Sequence, residues 1–143
     1  MKTLKLCLSA LLLFSALVYL TSCKDDDNST PGVSLEGTLW TEISNVSTGC
    51  DDPNENENET STCTATDCST VMLSGGILTS KDIQGGVTET TTGTYTILGN
   101  GKLKVTIDGF TQEVMYTISG NLLTVVIDSP FGGCTSTTVY TSN

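Results

Sequence analysis

Alternation of apolar and polar residues is clearest at residues 102–107. Leu103, Val105 and Ile107 are apolar, and each follows one polar residue. These polar residues are Lys102, Lys104 and Thr106. Because successive side chains of a β-strand point to opposite faces, this pattern predicts a strand with one buried face. Asp108-Gly109 follows, a pair that is favoured in two-residue hairpin turns. The segment therefore predicts a strand that turns back into its neighbour.

Apolar and threonine-rich runs of similar length continue through the chain, and none shows a sustained helical period. Gly75-Gly76 and Asn100-Gly101 separate some of them and suit the positive φ angles of hairpin turns. We predict eight strands, near residues 36–47, 69–74, 76–81, 87–98, 102–108, 110–118, 121–128 and 135–141. Short strands with regular turns are typical of sandwiches and barrels. The hairpin-like links favour an all-β, eight-stranded antiparallel up-and-down barrel, with a β-sandwich as the alternative.

The chain begins with the three parts of a secretory signal. Lys2 and Lys5 are basic, residues 6–20 are nearly all apolar, and small and polar residues precede Cys23. Leu20-Thr21-Ser22-Cys23 resembles the lipobox of bacterial lipoproteins, in which the cysteine is diacylated and becomes the mature N-terminus. The resemblance implies a signal peptide at residues 1–22 and lipid, such as palmitate, on Cys23. The alternatives are an ordinary cleaved signal and a transmembrane anchor, although the apolar run is shorter than the ~20 residues of a spanning helix.

A short polar segment separates Cys23 from the first predicted strand. Lys24-Asp25-Asp26 resembles the surface-export signal of lipoproteins in the Bacteroides group, which implies an outer-membrane protein that faces outward. A solvated, charged tether is the other interpretation of these residues. We therefore divide the chain into the signal at 1–22, the lipidated cysteine with a flexible acidic tether at 23–34, and a barrel domain at 35–143.

Charge and residue content exclude several functional classes. The whole chain has a net charge of −10 and contains no histidine or arginine, and Lys2 and Lys5 leave with the signal. So acidic a protein does not neutralise phosphates, which argues against nucleic-acid partners and against a basic membrane-binding patch. Without histidine the usual imidazole base is missing. We expect no enzyme activity and no cofactor; the expected partners are the membrane, through the lipid, and a small apolar ligand or a surface protein.

Four cysteines remain once Cys7 leaves with the signal and Cys23 takes the lipid. An even number in an oxidising compartment indicates disulfides, for which four cysteines allow three pairings. In an up-and-down barrel the end of the first strand and the start of the eighth share a rim. We therefore prefer Cys50 with Cys134 and Cys63 with Cys68; a metal site is the competing interpretation.

Residues 50–68 are predicted to form one long loop, dense in carboxylates and amides. Asp51, Asp52 and Glu55 supply the hard oxygen ligands that Ca²⁺ prefers. The segment lacks the Asp-x-Asp-x-Asp-Gly spacing and has no glycine to turn the chain around an ion. A solvated acidic loop is therefore the favoured interpretation over a calcium site.

The interior of an eight-stranded barrel holds either packed side chains or one small ligand. The candidates for this lining are large apolar and aromatic residues of the predicted strands: Trp40, Tyr95, Ile97, Leu103, Val105, Ile107, Phe110, Val114, Tyr116, Leu123, Val125 and Ile127. Aromatic residues make up only 6% of the chain, so a filled core would need every large side chain that is available. These residues can therefore equally serve to fill the core.

Over about residues 35–141 the chain resembles the small lipocalin-like domains of Bacteroides-group lipoproteins. The resemblance rests on Leu35-Glu36-Gly37-Thr38-Leu39-Trp40, on Gly93-Thr94-Tyr95-Thr96-Ile97 and on Ser119-Gly120-Asn121-Leu122-Leu123-Thr124. Lipocalins carry a Gly-x-Trp whose tryptophan caps one barrel end, whereas two residues separate Gly37 from Trp40. The resemblance implies a barrel that binds a small apolar ligand. The alternative is a filled barrel that acts as a surface interaction or accessory module.

Overall fold

The computed structural model describes residues 33–128 and 133–142. The predicted signal peptide, the cysteine predicted to carry the lipid, Cys23, and the predicted tether as far as residue 32 lie outside these ranges. Nine strands occur in the described chain: β1 Leu39–Thr48, β2 Glu57–Thr60, β3 Cys68–Ser74, β4 Ile77–Gln84, β5 Val87–Gly99, β6 Lys102–Ile107, β7 Phe110–Ser119, β8 Leu122–Asp128 and β9 Thr135–Ser142. Among the described residues, no helix is long and apolar enough to cross a membrane.

Eight of these strands form a closed antiparallel barrel, as the sequence predicted. Each strand from β3 to β8 pairs with the next one along the chain, and β1 pairs with both β3 and β9. The pairing of Thr41 with Thr141 and of Thr48 with Thr135 closes the sheet, which distinguishes this fold from a β-sandwich. Closure also removes the exposed sheet edges that an open meander would leave.

The prediction of a single loop at residues 50–68 was wrong in one respect, since it did not include the strand β2. This segment contains a short 3₁₀ helix, Pro53–Glu55, followed by β2. β2 pairs with the second half of β1, beyond the point where β1 leaves β3. All four side chains of β2 are exposed, so it lacks the apolar alternation that would have revealed it. The barrel wall is therefore extended by a polar hairpin at this end.

Glycine permits β5 to approach β6 closely. A Cβ at Gly93 would lie 2.5 Å from the carbonyl oxygen of Thr106 and 2.7 Å from Cγ1 of Ile107. β5 pairs with β6 only from Thr94 onward, whereas its earlier residues pair with β4 alone. The absence of a side chain at Gly93 therefore lets β5 pass close to the end of β6. Beyond this point β4 and β5 continue as a pair, past the end of β6.

One end of the barrel is closed by buried side chains and by the segment that precedes β1. Trp40 is 0% exposed and donates an indole hydrogen bond to the carbonyl oxygen of Leu35. Leu35 is itself buried among inward-facing residues of several strands. The backbone of Gly37 donates to the carbonyl oxygen of Leu73, and the Tyr95 hydroxyl donates to the Glu36 carboxylate. Trp40 therefore lies in the buried core near one end of the barrel.

The opposite end carries both disulfides. Cys50 is bonded to Cys134 and Cys63 to Cys68, which are the two bonds preferred from the sequence. The first joins the segment after β1 to the residue before β9, two strands that are already neighbours. The second closes a short loop immediately before β3. The open end is therefore fixed covalently, whereas the closed end depends on packing.

Candidate functional site

Strand register decides which side chains face the inside of the barrel. On β6, β7 and β8 the inward positions are almost all apolar, since Leu103 lies opposite Val114 and Val125 lies opposite Tyr116. Residues directly opposite each other share a face. The alternation that predicted β6 from the sequence therefore corresponds to the inner wall of the barrel.

These side chains leave space between them. A cavity of about 320 Å³ lies inside the barrel, which is within the range of small-molecule sites. Its lining is largely apolar: Leu35, Val71, Leu73, Leu78, Ser80, Leu103, Val105, Ile107, Phe110, Gln112, Val114, Leu123, Val125, Ile127 and Tyr140. Phe110 is 79% exposed although it lines the cavity, which places it at the mouth. Leu35, by contrast, is buried and marks the closed end.

The structure brings most of the predicted lining residues to this cavity. They come from three successive strands: Leu103, Val105, Ile107, Phe110, Val114, Leu123, Val125 and Ile127. Four other candidates lie elsewhere. Trp40 and Tyr95 belong to the buried core, and Tyr116 packs against it. Ile97 is 44% exposed, because it stands near the end of β5 where the strand runs into a turn.

Several lining residues were not predicted. Val71, Leu73 and Leu78 belong to β3 and β4, whose apolar runs are too short to show which face is inward. Only the strand register, which places Leu73 opposite Leu78, shows that these residues share the inward face. Tyr140 was missed because β9 is rich in serine and threonine and shows no clear alternation.

Tyr140 is one of three residues with polar side chains that line the apolar cavity, with Ser80 and Gln112. It lies directly opposite Glu42 of β1. Burial raises the pKa of the Tyr140 phenol to about 12, and the nearby negative charge of Glu42 contributes to the rise. A hydrogen bond with the Thr138 side chain partly offsets this rise in the pKa. The phenol is neutral at physiological pH, as an ordinary tyrosine is, and can donate a hydrogen bond beside the apolar lining.

A second, polar cavity of about 600 Å³ adjoins the same region of the barrel. It lies between residues 59–63 and the strands β3 and β4, and its lining includes Glu42, Asp67 and Asp82. Ser80 lines both cavities, so the polar space begins where the apolar one ends. The Glu42 carboxylate accepts a hydrogen bond from Ser61 Oγ at 3.1 Å, which fixes its position at this junction.

The structure does not bring the calcium candidates together. Asp52 instead caps the 3₁₀ helix, since its Oδ1 accepts from the backbone N–H and the side-chain amide of Asn54. Within the described ranges, the grouping of potential metal ligands that converges is Cys50, Glu55 and Cys134. Its two sulfur atoms are bonded to each other and supply no thiolates.

Comparison of the chain with profiles of known protein families, with curated proteins and with solved structures gives no match. Its function is therefore argued from the residues and from the cavity they form.

Proposed function

We propose that this protein is a lipoprotein of the outer-membrane surface that binds a small apolar ligand inside its barrel. The lipobox-like Leu20-Thr21-Ser22-Cys23 and the following Lys24-Asp25-Asp26 support the anchor and its outward location. The resemblance to lipocalin-like domains of Bacteroides-group lipoproteins supports the ligand class. The proposal assigns the protein no catalytic step and no cofactor.

The observation that carries the ligand-binding proposal is the apolar cavity. A barrel that served only as a structural support could fill its interior with side chains, as close-packed protein cores do. Here the inward-facing residues of β6 and β8 are mostly valine, leucine and isoleucine, and they leave about 320 Å³ between the walls. Apolar cavities that exclude water accept apolar molecules of matching size.

Native mass spectrometry of the protein, extracted from its own membrane, tests the proposal directly. We expect a retained small mass with the chemistry of a lipid. The matched variants are Val125→Phe, which places a larger side chain in the cavity, and Val126→Phe, which changes the neighbouring position on the outer face. Val125→Phe should abolish the retained mass, whereas Val126→Phe should leave it. An empty barrel that co-purifies with another protein would instead favour the accessory-module alternative.

The anchor is tested separately, by labelling cells with a palmitate analogue. The wild-type chain should incorporate the label and Cys23→Ala should not. Substitution of Lys24, Asp25 and Asp26 by alanine should retain the lipid but reduce digestion of the protein by protease added to intact cells. Unchanged digestion would contradict the export role of these residues without affecting lipidation.

A further inference from the structure

The interior of the barrel has two chemically different sides. The β6–β8 side is apolar, as described above, whereas the strand register places Glu42, Asp82 and Glu89 on the inward-facing side of β1, β4 and β5. The two sides meet at Ser80 and Tyr140, which both line the apolar cavity. A molecule in this cavity therefore has hydrocarbon surface on the β6–β8 side, and it meets the polar cavity that contains Glu42 at Ser80 and Tyr140.

The charges on the polar side have one sign only. Asp82 of β4 lies directly opposite Glu89 of β5, an arrangement of like charges that destabilises paired strands. Glu42 lies opposite Tyr140, and its negative charge acts on this phenol, which lines the apolar cavity. Glu42 and Asp82 both line the adjoining polar cavity, where each adds to a negative potential.

The described chain supplies no cation to this interior. Its lysines alternate with inward-facing residues and so lie on the outer face: Lys81 follows Ser80, and Lys102 and Lys104 flank Leu103. An anionic head group, such as a carboxylate or phosphate, would enter a region of negative charge without a partner. A positively charged head group would reduce the repulsion between the carboxylates.

We propose that the ligand of this cavity is an amphiphile with a positively charged head group, whose apolar part lies along β6–β8 and whose head lies beside Glu42. This inference rests on the proposed ligand-binding function and specifies its chemistry. It excludes fatty acids and phosphate-bearing lipids as preferred ligands. The apolar cavity provides the binding site, and the carboxylates determine which head group is accepted.

Displacement of the neutral dye N-phenyl-1-naphthylamine at pH 7 measures this preference. The probes are decylamine, decanol and decanoate, which share one hydrocarbon chain and differ in head-group charge. The protein is the full chain with Cys23→Ala, so that no acyl chain of its own competes for the cavity. Decylamine should bind about five- to tenfold more tightly than decanoate, as expected for a charge near a partly buried carboxylate.

Two variants separate the site from the overall negative charge of the protein. Glu42→Gln should reduce the ratio of the decylamine and decanoate affinities at least threefold. Glu113→Gln removes the same charge from an exposed position opposite Lys104 and should leave the ratio unchanged. Equal effects of the two variants, or decanoate binding as tightly as decylamine, would overturn the head-group inference. If none of the three probes displaces the dye, or Val125→Phe leaves displacement unchanged, the ligand-binding function itself fails.

Discussion

The indole Nε1 of Trp40 donates a hydrogen bond to the carbonyl oxygen of Leu35 at 3.3 Å, within the buried core at the closed end of the barrel. Leu35 precedes the first strand, β1, and Trp40 is the second residue of that strand. The contact thus joins the first strand to the segment that covers the barrel end. Because Leu35 also lines the cavity, this contact helps to define the inner limit of the cavity.

Removal of this contact should destabilise the whole barrel. Trp40→Phe leaves the buried Leu35 carbonyl without its indole donor and should lower the free energy of unfolding by about 1–3 kcal/mol. Trp40→Ala should lower it by about 3–5 kcal/mol, because a cavity is added. Urea denaturation measures both. Leu39→Ala is the control, since Leu39 is the residue next to Trp40 and its side chain is 48% exposed. A loss for Leu39→Ala as large as that for Trp40→Ala would contradict the assigned role of the tryptophan.

The disulfides should differ in their contributions to stability. Cys50 and Cys134 are 84 residues apart, whereas Cys63 and Cys68 are 5 apart. In the chain-entropy model, replacement of both cysteines by serine should cost about 4–5 kcal/mol for the first bond and about 2 kcal/mol for the second. Urea denaturation of the two double-serine variants checks the order. A larger loss on removal of Cys63–Cys68 would mean that native-state contacts around that loop outweigh chain entropy.

The barrel could be predicted from the sequence because its strands are joined by short turns with strong local signals. Asn100 and Asp108 both adopt positive φ in front of a glycine, as the hairpin dipeptides require. The cysteine pairing followed from the same topology, which places the end of the first strand beside the start of the last. β2 could not be predicted, since its polar residues pair with β1 through backbone groups alone.

The cavity was predictable only in part. Alternation on β6 identified part of the apolar wall, because this strand buries one face while its lysines lie on the other. β8 shows no such alternation, since Leu122 and Val126 are apolar on its outer face. The carboxylates were not recognised as a group, because Glu42 is far in sequence from the hairpin that carries Asp82 and Glu89. Only the strand register shows that the three share the inward-facing side of their strands. Whether the inner side chains fill the barrel depends on volumes and distances that alternation does not encode.

Gly93 should not tolerate even a methyl group. Its φ is not in the left-handed region, so alanine is acceptable to the backbone, but the new Cβ would meet the Thr106 carbonyl and the Ile107 side chain. Gly93→Ala should therefore lower the free energy of unfolding by about 1–3 kcal/mol, through forced separation of β5 and β6. Thr91→Ala, on the same face of β5, is the matched control and should have a smaller effect. Equal losses, measured by urea denaturation, would show that the close approach is not the cause.

Tyr140 should make the stability of the barrel depend on alkaline pH. Its pKa is raised from 10.0 to about 12, because burial and the charge of Glu42 favour the neutral phenol in the folded protein. Its contribution is therefore complete below pH 10 and is lost as the pH rises toward 12, since the unfolded chain releases this proton first. The free energy of unfolding should fall by roughly 2–3 kcal/mol over this interval from Tyr140 alone.

Urea denaturation at a series of pH values from 8 to 12 measures this loss. The free energy of unfolding of Tyr140→Phe should decline less steeply than that of the wild type above pH 10. The decline that remains should reflect Tyr95, whose pKa is also raised by burial and by its hydrogen bond to Glu36. Glu42→Gln should give an intermediate slope, because it removes the charge but leaves the phenol buried. Identical slopes for the wild type and Tyr140→Phe would mean that the phenolate is accommodated in the folded barrel. In that case the polar end of the cavity would be open to water, and the burial of the Tyr140 hydroxyl would not be the cause of the alkaline loss of stability.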